Sequence, residues 1–62
     1  MIIEDSANTF WEVREAADPA LAHCWIGHRV KRTKIGFVRT ACPQGKRDVL
    51  VRKEATRIVE AA

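Results

Sequence analysis

From Ile26 onward, apolar and polar residues alternate with a period close to two. That period puts successive side chains on opposite faces of an extended chain. His28, Val30 and Arg32 form one set, and Arg29 and Lys31 form the other. Thr33-Lys34 reads as a turn. Ile35, Phe37, Arg39 and Ala41 then alternate with Gly36, Val38, Thr40 and Cys42. A glycine among β-formers, here Gly36, predicts a bulge or a close backbone approach. In Pro43-Gln44-Gly45 the proline fixes the first bend and the glycine relieves the last. Residues 47–52 resume the alternation, with Val49 and Val51 on one face and Leu50 on the other. The two runs predict an antiparallel hairpin, 35–42 against 47–52.

Before Ile26 the pattern is less regular. Met1-Ile2-Ile3 is apolar and then gives way to acidic and polar residues, so 1–8 is read as an N-terminal arm or an edge strand. Residues 9–62 form one small domain. Thr9 followed by Glu12 matches a capping box. A helix begun there places Phe10, Val13 and Ala17 on one face with Trp11 beside them. A short strand is the alternative, since Phe10, Trp11 and Val13 also suit a sheet. Asp18-Pro19 predicts a second helical start, with Asp as cap and Pro at the first helical position. Leu21, Cys24 and Trp25 would share its face, and Gly27 would end it. The tail admits a helix, with Ala55, Ile58, Val59 and Ala62 along one side. It also admits a tight turn at 53–56 followed by a last strand at 57–60.

The second tail reading completes a pattern of glycine-flanked strand, hairpin, strand, short turn and closing strand. This is the order of a small SH3-like barrel, which removes exposed sheet edges. A small β-rich single domain of that kind is the favoured fold class. The alternative is a three-stranded antiparallel sheet packed by one or two short helices, an α+β arrangement. The chain has 62 residues. A domain of this size hides only about 60% of its unfolded surface. Association into a homo-oligomer is therefore one way to complete the core. A hydrophobic content of 47% argues against disorder. No apolar run approaches the roughly 18 residues of a membrane span. The first residues are acidic where a secretory signal is basic. The expectation is a cytoplasmic protein with no membrane role.

Charge changes the picture more than composition does. Residues 1–28 carry Glu4, Asp5, Glu12, Glu15 and Asp18 against Arg14 alone, a net of −4. Residues 29–62 carry ten Lys and Arg side chains against Asp48, Glu54 and Glu60, a net of +7. The overall +3 conceals this split. A basic half of this kind attracts polyanions. The expected partner is nucleic acid, held mainly by its phosphate backbone. Contacts are expected from Arg29, Lys31, Arg39, Arg47 and Arg52, widened by Lys34 and Lys46. The role would be that of an accessory or regulatory factor. The competing partner is another protein or a second copy, met by Phe10, Trp11, Val13 and Ala17 or by a sheet edge.

Other chemistry has little footing in the sequence. Phe10, Trp11, Trp25 and Phe37 are the aromatics available for stacking, and each also suits a core. Phe37 becomes a stacking candidate only if the face around Arg39 is open. His23, Cys24, His28 and Cys42 contain metal-binding residue types but no Cys-x2-Cys knuckle, and no metal site is assigned. Neither Cys24 beside His23 nor Cys42 in a turn has a base and an orienting group placed by a motif, and no catalytic residue is assigned. There is no glycine-rich phosphate loop, and no cofactor is expected.

Overall fold

The computed structural model describes residues 1–61. Its framework is one antiparallel sheet of six strands: β1 (Ile2–Glu4), β2 (Phe10–Glu15), β3 (Cys24–Thr33), β4 (Gly36–Arg39), β5 (Val49–Arg52) and β6 (Arg57–Glu60). A 3-10 turn (Pro19–Leu21) and a single helical turn, α1 (Pro43–Lys46), complete it. No helix among the described residues is long and apolar enough to cross a membrane.

The segment predicted as a helix after Thr9 is β2. Local sequence supported either form. Pairing decides it, because β2 is hydrogen-bonded to β1 on one side and β3 on the other. Phe10 and Val13 consequently point to opposite faces, and Ala17 lies beyond the strand. Asp18 does cap a helical start, accepting from the Ala20 amide, but only one 3-10 turn follows. Cys24 and Trp25 already belong to β3. Gly27 is not a helix end. It sits in mid-strand opposite Val13, where an added Cβ would fall 1.9 Å from the Glu12 carbonyl oxygen.

A ten-residue β3 organises the rest. One edge is covered by β2. The other edge takes two strands in succession, β5 opposite Cys24–Gly27 and β4 opposite Val30–Thr33. The expected 35–42/47–52 hairpin is therefore replaced by two separate pairings to β3. The proline-glycine segment forms α1, which packs against β3 between those pairings. Gly45 allows this docking, since a Cβ there would lie 2.2 Å from the Thr40 carbonyl oxygen. Gly36 serves the β3–β4 turn through its positive φ of 116°, with open space around it, so the predicted close approach is absent.

The tail follows the strand reading. A turn closed by the Thr56 amide on the Lys53 carbonyl leads into β6, which pairs with β1. The β1 strand thus lies inside the sheet, between β2 and β6, rather than at its edge. Ala62, the last member of the helical alternative, lies outside the described residues. A flat sheet would separate β5 from β6 by about 19 Å across four strand spacings. The tight turn at 53–56 cannot span that distance, so the sheet must roll. No ladder joins β5 to β6 among the described residues, and the barrel is not closed.

Rolling buries one face. Ile3, Trp11 and Val13 form its centre, joined by Met1, Trp25, Val49 and Val51. Ile3 is fully buried. Trp11 keeps its indole N–H satisfied by donating to Asp5 Oδ2 at 3.0 Å. The opposite face carries a smaller apolar group around Ile2 and Val30, both buried.

Candidate functional site

Eleven Lys and Arg residues divide sharply by what they touch. Arg14 pairs with Asp48 at 2.9 Å, Lys53 with Glu15, Arg57 with Glu4, and Arg52 with Glu54 at 3.8 Å. The other seven are Arg29, Lys31, Arg32, Lys34, Arg39, Lys46 and Arg47. Among the described residues, none of these has a carboxylate within salt-bridge distance. They all fall between positions 29 and 47 and lie on the outer half of β3, the β3–β4 hairpin, and α1 with its exit.

The hairpin projects past β2. Phe10 opposite Val30 is the last β2–β3 pair, so Lys31, Arg32 and Thr33 face β4 alone. The tip is set by Thr33, whose hydroxyl donates to the Gly36 carbonyl at 2.7 Å and accepts from the Ile35 amide. Lys34 and Ile35 lie at the tip, and Ile35 is 90% exposed. Where β2 stops, a cleft of about 400 Å³ opens. It is lined by Asn8, Thr9, Phe10, Arg29, Val30, Lys31, Arg32 and Thr40. Side chains from both faces of β3 reach this cleft because it lies at a sheet margin.

Next to it is an aromatic and cationic cluster. Phe10 and Phe37 meet edge to face with ring centroids 5.1 Å apart. The Arg32 guanidinium carbon lies 5.0 Å from one centroid and 5.2 Å from the other. On the far side of Phe37 a second cleft is lined by Ile2, Glu12, Gly36 and Glu60. Met1 also lines it, and its terminal ammonium pairs with Glu12 Oε2 at 3.1 Å, which leaves Glu60 as the carboxylate without that partner.

The helical turn α1 fixes the inner boundary. Arg29 Nη1 donates to Gln44 Oε1 at 3.4 Å. The Thr40 amide donates to the Arg29 carbonyl at 3.2 Å. Thr40 Oγ1 also lies 2.9 Å from Cys42 Sγ. This hydroxyl, helped by the Gly45 and Gln44 amides and the charge of Arg29, outweighs desolvation and holds the Cys42 thiol below its ordinary value. Cys24 is buried in β3, and both cysteines are free. No three of His, Cys, Asp or Glu converge as a metal cluster among the described residues. His28 receives a hydrogen bond from Arg39 at 3.1 Å on Nδ1. The same ring nitrogen lies 3.9 Å from Asp48 Oδ1.

The predicted cations are therefore not one flat face. Arg29 and Lys31 project to one side of β3. Arg39 and Arg52, paired with Val30 and Cys24, project to the other. Lys34 is at the hairpin tip, and Lys46 and Arg47 follow from α1. The fold groups six of the seven around the hairpin and α1 and leaves Arg52 at the distant end of β3 beside Glu54. Arg32, which is not among the predicted contacts, is set opposite Phe37 by the β3–β4 register. Phe37 does share a face with Arg39. Of the predicted protein-contact group, Trp11 and Val13 lie in the core, Phe10 in the aromatic cluster, and Ala17 on the surface. Comparison with protein-family models, curated proteins and solved structures gives no match.

Proposed function

We propose that this protein is a non-enzymatic nucleic-acid-binding module that grips mainly phosphate. One observation carries the reading: seven cations without carboxylate partners are gathered on the projecting hairpin and α1, while the other four each have a carboxylate within 4 Å. Unpaired cations on a rigid support release counterions when they meet a polyanion, and this supplies affinity with little sequence selection. The rolled sheet, with its short turn before the last strand, is compatible with an SH3-like barrel left unzipped between β5 and β6. In that reading the barrel is a platform and the hairpin is the grip.

Titration of fluorescently labelled oligonucleotides at several salt concentrations tests the function. Binding should weaken with salt, with a log–log slope of about −2 to −4 if three to five phosphates are contacted. Replacing Lys31, Lys34 and Arg47 with Ala should flatten that slope by up to about 1 per residue. Arg52→Ala should change it little. No binding at low salt would overturn the proposal.

A second reading has its own observation. Leu50 and Ile58 are 50% and 56% exposed near the unzipped margin. A strand from another protein or a second copy fits there. Sedimentation that depends on protein concentration and persists at high salt would favour it.

A further inference from the structure

Resting on the nucleic-acid reading, we infer that the cleft beside Arg32 selects a single strand by stacking one of its bases. Phosphate contact alone does not call for this arrangement. Phe10 and Phe37 support the Arg32 guanidinium at 5.0 and 5.2 Å from their centroids, whereas a cation serving only phosphate needs no aromatic bed. Arg32 is exposed and has no carboxylate partner among the described residues, so the protein does not already engage its charge. A guanidinium held over rings offers a base a flat, polarisable surface.

The adjoining cleft has the right scale and chemistry. Its volume of about 400 Å³ is within the range of small-molecule sites. Arg29 and Lys31 provide charge for a phosphate, and Asn8 and Thr9 provide hydrogen-bonding groups. A base inside a duplex is stacked on its neighbours and cannot present its flat side to Arg32, whereas an unpaired base can. The strand would therefore follow the Arg29–Lys31 margin with one base turned onto Arg32.

The test compares four probes of equal length at low salt by fluorescence anisotropy. They are oligo-dT, oligo-rU, an abasic deoxyribose-phosphate strand and a duplex. Stacking predicts that the base-bearing single strands bind roughly 5- to 100-fold more tightly than the abasic strand. Arg32→Lys keeps the charge but loses the planar group, so it should bring the ratio of base-bearing to abasic affinity close to 1, whatever it does to the affinity for phosphate itself. A thermal melt verifies that the variant is folded. Equal binding of base-bearing and abasic strands would overturn the stacking inference and leave the phosphate grip standing. Duplex binding as tight as single-strand binding would overturn it too. Failure of all four probes to bind would overturn both readings.

Discussion

Asp5 does more local work than any other carboxylate in the chain. Its Oδ1 accepts from the amides of Ala7 and Thr9, and its Oδ2 accepts from the Trp11 indole. It thereby shapes the β1–β2 turn, where Asn8 takes a positive φ of 63°, and locks the largest core side chain in place. Burial pushes the Asp5 carboxyl up, but these donors and the charge of Arg29 prevail and hold it below 3.8. A folded value below the unfolded one adds stability above the unfolded pKa. That stability is lost as pH falls through the folded value. Asp5→Asn should therefore melt lower at pH 7, by about 1 kcal/mol or more, and the gap should narrow as the pH drops below about 4. Urea melts of both proteins between pH 7 and 3 would check this. An undiminished gap at pH 3 would mean that Asp5 acts through shape alone. A second residue-scale test concerns Cys42. Its alkylation by iodoacetamide should have a midpoint below that of an ordinary exposed thiol, and Thr40→Val should move that midpoint upward. The sequence had left Trp11 and its neighbours open between helix and strand. Phe10 and Val13 are three apart, Trp11 and Val13 are two apart, and the Thr9–Glu12 pair imitates a helix start. Pairing with Ile3 in β1 and with Arg29 in β3 resolves it.

At the scale of elements, β3 shows why local patterning found the strands but missed their pairing. Alternation identified 47–52 as extended, and Val49–Arg52 is a strand. The predicted hairpin assumed that consecutive runs pair with each other. Instead α1 carries the chain along the β3 edge, and β5 docks a few residues away from β4. The docking of α1 depends on Gly45 against Thr40, a contact with no one-dimensional signature. Gly27 is the comparable hinge on the other edge. Gly27→Ala would drive a methyl group into the Glu12 carbonyl. It should cost about 2 kcal/mol and lower the melting temperature by roughly 10 °C. A calorimetric scan reads this directly, and an unchanged melting temperature would mean that β2 and β3 separate more easily than the packing implies.

At the scale of the whole molecule, the charge split was visible from the start, but its division into paired and unpaired cations was not. That division depends on carboxylates brought from afar, such as Glu4 to Arg57 and Glu15 to Lys53. The aromatic bed under Arg32 likewise joins β2, β3 and β4. Stability should also be unevenly spread. Ile26 and Gly27 sit in a strand flanked on both edges, whereas β6 is flanked only by β1. Hydrogen exchange should be slowest in the middle of β3 and much faster in β6. Equal protection of the two would indicate that β5 and β6 zip together in solution.

The β1–β6 ladder sets Ile2 opposite Glu60. A chain emerging from the ribosome can form the β1–β2 hairpin early. The outer flank of β1 then stays uncovered until β6 has been made, a delay on the order of seconds at ordinary translation speed. Ile3, enclosed on all sides in the finished protein, spends that interval beside an open strand edge. Synthesis therefore leaves the outer flank of β1 open until the sixth strand of the sheet has been made.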